Sequence, residues 1–304
     1  TTDIYETTNG NEVTMSKIAI LTDSSCDIPQ EMAEKYGIDI MSFHILLDDV
    51  DYVERESCTN TEFYDKMRLA KGVPSTAAIT PIQFCEKYCQ YVDEGYTDVI
   101  HVPINKSGSS TYNNALMAQG MLREERPEHH MKIHLLDPHT YSMVFGWYLC
   151  EMARKLKNGA EISHVIQEFE KQMNCMEIIL GPYSLKQMKK SGRISAAAAV
   201  MGELMGVRPI ITLIDGKTKV ESKVRGDDKV VPAMIELCKK RADGVENFDY
   251  MIGHTNIKQA EDLEKACRKA FGKAPLVVFE LGGVVSANTG PDTVALVYTG
   301  HPRG

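Results

Sequence analysis

The chain has no long apolar run and no excess of positive charge. None of its apolar stretches approaches the roughly 18 residues that a membrane-spanning helix needs. Its formal net charge is −8 and its pI is about 5.6, a balance that argues against bulk attraction to nucleic acid or to an anionic membrane. Apolar residues make up 43% and charged residues 25%, as in ordinary globular proteins. We therefore expect a soluble protein that does not bind nucleic acid.

Secretion and metal-binding signals are also missing. No charged-then-apolar segment opens the chain, which predicts a cytoplasmic protein. Residues 1–14 are polar and aperiodic, and Met15 resembles a natural start, so we interpret residues 1–14 as a polar tail outside the fold. The eight cysteines are scattered and are expected to be reduced core residues. Cys85 and Cys89 have a spacing that could ligate a metal, but no second Cys/His pair matches it. We predict no metal and no cofactor.

Two domains are expected, because 304 residues exceed the usual size of one core. In residues 15–174, strand-like segments alternate with helices of about 10–15 residues, which indicates a parallel sheet with helices on both faces. In residues 175–304, Asp215-Gly216 predicts a tight hairpin, and the remaining strands indicate a mixed sheet. The predicted fold class is α/β, with an N-terminal α/β domain over residues 15–174 and a C-terminal α/β domain over residues 175–304.

Capping signals and periodicity place the individual elements. Thr80-Pro81-Ile82-Gln83 combines an N-cap, a proline in the first turn and a glutamine three residues after the cap, which predicts a helix to about Glu94. The predicted strands are 17–22, 38–45, 99–104, 132–137, 176–180, 207–214, 217–224, 248–253, 276–281 and 294–298, with an antiparallel excursion at 46–53. The other predicted helices are a short one ending at Gly37 and segments 60–71, 112–123, 139–157, 185–190, 195–205, 228–241 and 256–271.

A loop of small hydroxyl residues, Lys106–Tyr112, separates the strand 99–104 from a helix. The first N–H groups of a helix have no partner inside it, and the helix dipole favours negative charge there, so this loop suits an anionic head group. Three interpretations of Ser109 stay open: ligand binding, helix capping and nucleophilic catalysis. Catalysis is disfavoured, because Ser107 and Thr111 occupy the glycine positions of a nucleophile elbow and His101 on the adjoining strand is expected to point away.

Two other polar segments are candidates for the same ligand site. Thr76 and the segment Thr22-Asp23-Ser24-Ser25 are expected near the carboxyl ends of parallel strands, where ligands bind in open α/β sheets. The alternatives are an exposed linker at Thr76 and helix capping at Asp23–Ser25. Residues 282–291 form a predicted polar loop whose glycines are in the wrong order for a dinucleotide site, and no phosphate-binding Gly-Lys-Ser/Thr occurs.

Several short motifs occur in a characteristic order along nearly the whole chain, from Lys17 to Tyr298. They are Lys17–Pro29, Thr76, Ser109–Tyr112, Lys189–Ser195, and Arg208–Ile210 followed by Asp215-Gly216 and Lys223–Arg225. In this order they resemble the DegV family of bacterial fatty-acid-binding proteins. The corresponding family motifs include Thr-Ser-Gln-Pro-Ser at Thr76, Ser-Gly-Thr-Tyr at Ser109, and Lys-Lys-Gly-Gly-Arg-Ile-Ser at Lys189.

The resemblance implies a lipid-binding protein that is not an enzyme on its own. In the family, two α/β domains enclose a lipid tunnel, and the ligand carboxylate is held by residues that match Thr76 and Ser109. A family histidine matches Asn288, and Ser110 and Ser24 complete the predicted ligand-binding set. The bound long-chain fatty acid is presented to a separate fatty acid kinase for phospholipid synthesis. The prediction includes transient membrane contact.

Two arginines are predicted to meet the kinase. Arg193 and Arg225 supply local positive charge on an acidic protein, which suits a specific docking patch. The alternative is that each forms a surface salt bridge at a helix end or a sheet edge.

Two positions depart from the family pattern. Asn288 stands where the family has histidine, and its amide can donate a hydrogen bond but cannot become cationic. We therefore expect weaker head-group affinity or a different ligand. Ala78-Ile79 replaces Gln-Pro after Thr76, so the Thr76 loop is expected to have a different shape. The alternative functions are a serine-dependent acyl or ester hydrolase using Ser109, and a partner-binding module without a ligand.

Overall fold

The structure is a computed structural model that describes residues 4–9, 12–192, 194 and 206–303. The chain divides into two units. The first unit comprises residues 1–43, 78–141 and 145–173, and the second comprises residues 44–77, 142–144 and 174–304. The predicted helix at 195–205 and the predicted partner-binding residue Arg193 lie outside the described residues.

The elements are numbered in chain order. The strands are β1 (Ile4–Asn9), β2 (Glu12–Asp23), β3 (Ile38–Met41), β4 (His44–Leu47), β5 (Val50–Val53), β6 (Ser75–Ala77), β7 (Asp98–Val102), β8 (Lys132–Leu135), β9 (Met176–Pro182), β10 (Val207–Ile214), β11 (Lys217–Arg225), β12 (Tyr250–His254), β13 (Val278–Glu280) and β14 (Thr293–Thr299). The α-helices are α1 (Gln30–Tyr36), α2 (Asn60–Leu69), α3 (Pro81–Asp93), α4 (Thr111–Glu125), α5 (Met143–Lys157), α6 (Ile162–Met173), α7 (Lys186–Ser191), α8 (Val230–Arg241), α9 (Ile257–Phe271) and α10 (Gly283–Thr289).

The sheet of the first unit confirms the predicted parallel arrangement. The second half of β2 pairs in parallel with β3 on one side and with β7 on the other, and β7 pairs in parallel with β8. The core of the unit includes the fully buried side chains Leu21, Ile100, Phe84 and Tyr88. Alternation of these strands with the helices α1, α3 and α4 follows the predicted pattern, because parallel neighbours need a crossover connection.

The interpretation of residues 1–14 as a tail outside the fold was wrong. β1 pairs with the first half of β2 as an antiparallel hairpin, from Ile4 opposite Lys17 to Asn9 opposite Glu12. The sequence carries a signal for this hairpin: Gly10-Asn11, between the paired residues Asn9 and Glu12, is a two-residue turn signal in sequence, and it is flanked by residues that favour strands. The segment was interpreted as a tail because its composition is polar.

Local backbone chemistry accounts for where the helices of the first unit begin. At α3, Thr80 Oγ1 accepts the Gln83 N–H at 3.3 Å and Gln83 Oε1 accepts the Thr80 N–H at 2.9 Å, which confirms the predicted capping box. At α5, the helix begins at Met143 rather than at the predicted residue 139, because His139 and Ser142 have φ values of 54° and 66°, outside the helical region. The helix α6 was not predicted.

The second unit contains a mixed six-stranded sheet in the order β11-β10-β9-β14-β12-β13. β12 and β13 are parallel, and the other neighbours are antiparallel. The hairpin β10–β11 turns at Asp215 and Gly216 with φ values of 51° and 70°; both are positive, as a type I′ turn requires. The predicted mixed sheet and its hairpin are thus confirmed, as is the α/β fold class.

Residues 44–77 belong to the second unit, whereas the sequence boundary near residue 174 put them in the first domain. They form an antiparallel sheet in the order β5-β4-β6, with α2 between β5 and β6 along the chain. The predicted strand 38–45 is therefore two strands, since β3 joins the parallel sheet and β4 joins this small one. The predicted loop 282–291 contains the helix α10, which contacts both α2 and β6. In the described part of the chain, no helix is both long and apolar enough to span a bilayer.

Candidate functional site

In the first unit, the segment after β2 and the segment after β7 lie at one edge of the sheet. The two strands are parallel neighbours, with Thr22 opposite Val102. The buried Asp23 carboxylate joins the segments, because Oδ1 accepts the Ser25 N–H at 3.1 Å and Oδ2 accepts the Ile104 N–H at 2.7 Å. Asp23 thus caps the short 3-10 helix at Ser24–Cys26, as the capping interpretation predicts. The same bonds fix the start of the hydroxyl-rich loop.

Ser109 lies in that loop immediately before α4 and is half-buried. Its Oγ accepts the Thr111 N–H at 3.2 Å and lies 2.8 Å from Thr111 Oγ1. A hydroxyl oxygen can accept two hydrogen bonds and donate one. When Thr111 Oγ1 donates the shared bond, Ser109 keeps its own hydrogen for an outside acceptor. The side chain can therefore cap the helix and donate to an anion at the same time.

Asn105, which immediately precedes this loop, is a buried residue that the sequence reasoning missed. Its Oδ1 accepts from the Ser107 N–H at 2.8 Å and from Ser107 Oγ at 2.9 Å, and its carbonyl oxygen accepts the Gly108 N–H at 3.0 Å. Because a backbone N–H can only donate, the atom that faces it is the amide oxygen. Asn105 Nδ2 is buried and has no hydrogen-bond partner among the described residues. The signal was present, since Asn followed two residues later by Ser is typical of an Asx turn.

The two other serines predicted in the ligand-binding set have different surroundings. Ser24 is 1% exposed, and its Oγ accepts the Phe43 N–H at 2.9 Å, so it stabilises the backbone after β3. Ser110 is exposed and precedes α4, but its side chain makes no capping hydrogen bond. Their roles as ligand groups stay predictions.

His101 does not supply a base for Ser109. It lies on β7, fully buried, with Nδ1 2.7 Å from Tyr88 Oη and its ring edge-on to Phe84. Burial lowers the pKa of His101 to about 3, because a charged imidazole loses its hydration there. Within the described residues, Ser109 Oγ bonds only Thr111. A serine nucleophile needs a base within hydrogen-bond reach, and no described histidine or carboxylate hydrogen-bonds Ser109 Oγ.

In the second unit, Thr76 lies on β6 and Asn288 lies on α10. Thr76 is half-buried and stands opposite Ile45 of β4. Asn288 is half-buried, and its Nδ2 donates to Val284 O at 2.8 Å within the helix. That bond uses one of the two amide hydrogens, and the other remains for a ligand. Because β6 contacts α10, these two predicted residues stand on neighbouring elements.

Histidine, cysteine and carboxylate side chains are the groups that could hold a metal ion. Among the described residues, no three His, Cys, Asp or Glu side chains are grouped so that they could hold a metal ion. The Cys85 thiol is buried, and burial together with Cys89 raises its pKa to about 11. Both observations agree with core thiols at these two positions.

Comparison with known proteins places the chain in a family. The sequence model described as uncharacterised protein, DegV family, matches residues 17–300. The chain belongs to the DegV family. A DegV domain-containing protein of Clostridium perfringens is 28% identical over 293 residues, which cover 93% of this chain and 99% of that protein.

Solved structures share the fold of this chain. A fatty acid binding family member from Streptococcus agalactiae is 26% identical, with a TM-score of 0.81 over 94% of this chain and 99% of the other. A stearic acid-binding protein from Eubacterium ventriosum has a TM-score of 0.85 over 93% of this chain and 98% of the other, at 22% identity. The second likeness establishes the fold alone.

Of the two arginines predicted to contact a partner of this DegV family member, Arg225 is described. It ends β11, the edge strand of the mixed sheet, and is exposed. No ion pair forms at Arg225 within the described residues. The surface salt bridge considered for this arginine is therefore not observed there, and the docking role stays a proposal.

Gly108 has no room for a side chain, and we expect Gly108→Ala to destabilise the first unit by about 1–3 kcal/mol through overpacking. A Cβ atom at this position would collide with Tyr141 Oη and lie 2.8 Å from Tyr141 Cε1. Urea unfolding measures the loss. Gly120→Ala is the matched control, because a Cβ at Gly120 meets nothing within 4 Å. In a Tyr141→Ala background the Gly108 substitution should cost almost nothing; an equal cost in both backgrounds would contradict the contact.

Proposed function

We propose that this chain binds a long-chain fatty acid and is not an enzyme on its own. The observation that carries the proposal is the hydrogen bonding of Ser109: its hydroxyl hydrogen is available to an anion when Thr111 Oγ1 donates their shared bond, and no described base hydrogen-bonds its Oγ. The DegV relative from Streptococcus agalactiae is a fatty acid binding protein, which supports the same ligand class. The ligand carboxylate accepts hydrogen bonds from Ser109, Thr76 and Asn288 in this proposal.

The kinase partner and the other predicted features of this function are also part of our proposal. The chain presents its fatty acid to a separate kinase that phosphorylates the carboxylate, with Arg193 and Arg225 at the docking surface. The lipid tunnel, the transient membrane contact and the cytoplasmic location are part of this proposal. Arg225 supports the docking role because it is exposed and forms no ion pair with any described residue. Its guanidinium can form a bidentate pair with a partner carboxylate.

The direct test is the content of the purified protein. Protein purified without added lipid is extracted with organic solvent, and the extract is analysed by mass spectrometry. We expect a long-chain fatty acid in about equimolar amount. An extract without any acyl species, together with no binding of added palmitate in calorimetry, would overturn the proposal.

Replacement of the proposed donor should weaken binding. We expect Ser109→Ala to lower the affinity for palmitate about tenfold, because a hydrogen bond to a charged group contributes at least about 1.5 kcal/mol. Competition against a fluorescent fatty acid measures the change. Ser222→Ala removes an exposed hydroxyl from β11 and should leave the affinity unchanged. Equal affinities of wild type and Ser109→Ala would contradict the assigned role.

The hydrolase alternative has its own readout. A fluorophosphonate probe that labels the wild-type chain but not Ser109→Ala would show a reactive serine. We expect no labelling, because the described contacts give Ser109 no base.

A further inference from the structure

The helix that carries Asn288 has an unusual beginning. α10 starts after Gly282, which has no side chain and therefore cannot cap the helix with one. The first N–H groups of a helix need partners from elsewhere, above all when they are buried. Gly283 and Val284 are both buried. The missing cap must come from another segment.

Glu54 provides this cap. Its carboxylate oxygen Oε1 accepts the Val284 N–H at 2.8 Å, across 230 positions of sequence. The side chain is nearly buried, with 6% of its residue surface exposed. A buried carboxylate is costly unless hydrogen bonds compensate it, and the Val284 N–H at the start of α10 supplies one of them. Gly283 allows the approach, since a Cβ there would lie 3.3 Å from Glu54 Oε1 and 2.7 Å from Ile45 Cδ1.

The turn that presents Glu54 is held by several hydrogen bonds. Val53 O accepts the Glu56 N–H at 3.2 Å and the Ser57 N–H at 2.9 Å, and Ser57 Oγ accepts the Val53 N–H at 2.8 Å. Arg55, next to Glu54, has a φ of 71°. A residue that is not glycine occupies this region only where its surroundings impose it. These hydrogen bonds hold the turn that carries the Glu54 carboxylate.

Val284 also connects the cap to the proposed site. Its N–H is held by Glu54, and its carbonyl oxygen accepts from Asn288 Nδ2 at 2.8 Å. One end of the chain of contacts is thus a carboxylate on the β5–α2 turn, and the other end is the amide predicted to face the ligand. Val284 is thus the residue that links Glu54 to the Asn288 amide.

We propose that Glu54 is a positioning residue, which holds α10 so that the amide of Asn288 is oriented to recognise a carboxylate head group. This inference rests on the proposed function. Glu54 itself does not touch the ligand. Its carboxylate acts through Val284, so its loss changes the preference for a charged head group over a neutral one of equal chain length.

The experiment compares palmitate with hexadecan-1-ol, which share a chain length and differ in the head group. Affinities are measured by displacement of a fluorescent fatty acid. We expect Glu54→Ala to reduce the palmitate-to-hexadecanol affinity ratio about tenfold, the equivalent of one hydrogen bond to a charged group. Glu54→Gln retains an oxygen that can accept the Val284 N–H and should reduce the ratio about threefold at most. The melting temperature of each variant confirms that it is folded.

A double-mutant cycle separates positioning from general stability. In an Asn288→Ala background, Glu54→Ala should leave the affinity ratio unchanged, because the group through which it acts is gone. Thr80→Ala, which removes the N-cap of α3 in the first unit, is the matched control and should lower the melting temperature without changing the ratio.

Each outcome has a distinct meaning. Equal weakening of both ligands by Glu54→Ala, or the same change of ratio with and without Asn288, overturns the positioning role and leaves the proposed function standing. A wild-type chain that binds neither ligand overturns the proposed function and this inference with it.

Discussion

A fatty acid of ten carbons should bind this chain about a thousandfold more weakly than one of sixteen, since each buried CH₂ contributes roughly 0.8 kcal/mol and six of them about 5 kcal/mol at most. The head group contributes less, because its hydrogen bonds mainly offset the cost of removing the carboxylate from water. Ordering of the acyl chain cancels part of the gain from each added carbon. Isothermal titration with saturated acids of ten, twelve, fourteen and sixteen carbons measures the dependence.

The Ser109→Ala variant is the internal control for this series. Loss of a head-group donor should weaken every acid by the same factor, so that the plots of free energy against chain length for wild type and variant are parallel. The proposal of an apolar binding region is wrong when affinity does not change between ten and sixteen carbons. Recognition would then be confined to the carboxylate.

Replacement of Glu177 by alanine should lower the free energy of unfolding of the second unit by about 3 kcal/mol, because it leaves the half-buried charge of Arg241 and the buried hydroxyl of Tyr298 without their partner. Glu177 lies on β9 and is 6% exposed. Its Oε2 accepts from Arg241 Nε at 2.6 Å and from Tyr298 Oη at 2.6 Å. Its Oε1 accepts from Arg241 Nη2 at 3.1 Å.

The pKa directions of this cluster agree with a strong coupling. The hydrogen bond from Arg241 to Glu177 raises the pKa of Arg241, and burial, with Glu177 beside it, raises the pKa of Tyr298. We place the cost at the lower end of the range for broken buried pairs, because the Arg241 side chain keeps 30% of its surface exposed.

An exposed pair of the same chemistry is the control for Glu177. Arg154 Nη2 lies 2.7 Å from Glu151 Oε2 on the surface of α5, and such pairs contribute about 0–1 kcal/mol. Urea unfolding of Glu151→Ala should therefore differ little from wild type. Similar losses for Glu151→Ala and Glu177→Ala would show that burial of the second pair adds nothing.

Elements with local signals were predictable from the sequence, and pairings between distant segments were not. Thr80 and Gln83 sit three residues apart and define the start of α3, and Asp215-Gly216 defines its hairpin without outside help. Residues 38–45 read as one strand because both β3 and β4 are apolar. The break between them depends on which sheet each half joins, and strand pairing is decided by tertiary contacts rather than by the local sequence.

The site shows the same division. The hydrogen bond of Ser109 to the first turn of α4 was predictable, because a hydroxyl residue just before a helix is a local signal. Glu54 was not, since its partner Val284 is 230 positions away and nothing near Glu54 marks it as a cap. Residues 282–291 looked like a loop because glycine and asparagine disfavour helices. The Glu54 carboxylate supplies from outside what the local sequence of α10 lacks.

The interrupted course of the second unit has a consequence for biosynthesis. Residues 44–77 leave the ribosome early. About 100 more residues must be added before residue 174, where the longest segment of the unit begins, and this takes about 5–20 s at ordinary translation rates. During that time Ile45 and Phe63 lack Gly283, and Tyr64 lacks the Leu281 carbonyl that its hydroxyl binds in the finished protein. Each nascent chain thus carries an unsatisfied apolar segment for seconds, which makes it a candidate client for ribosome-associated chaperones.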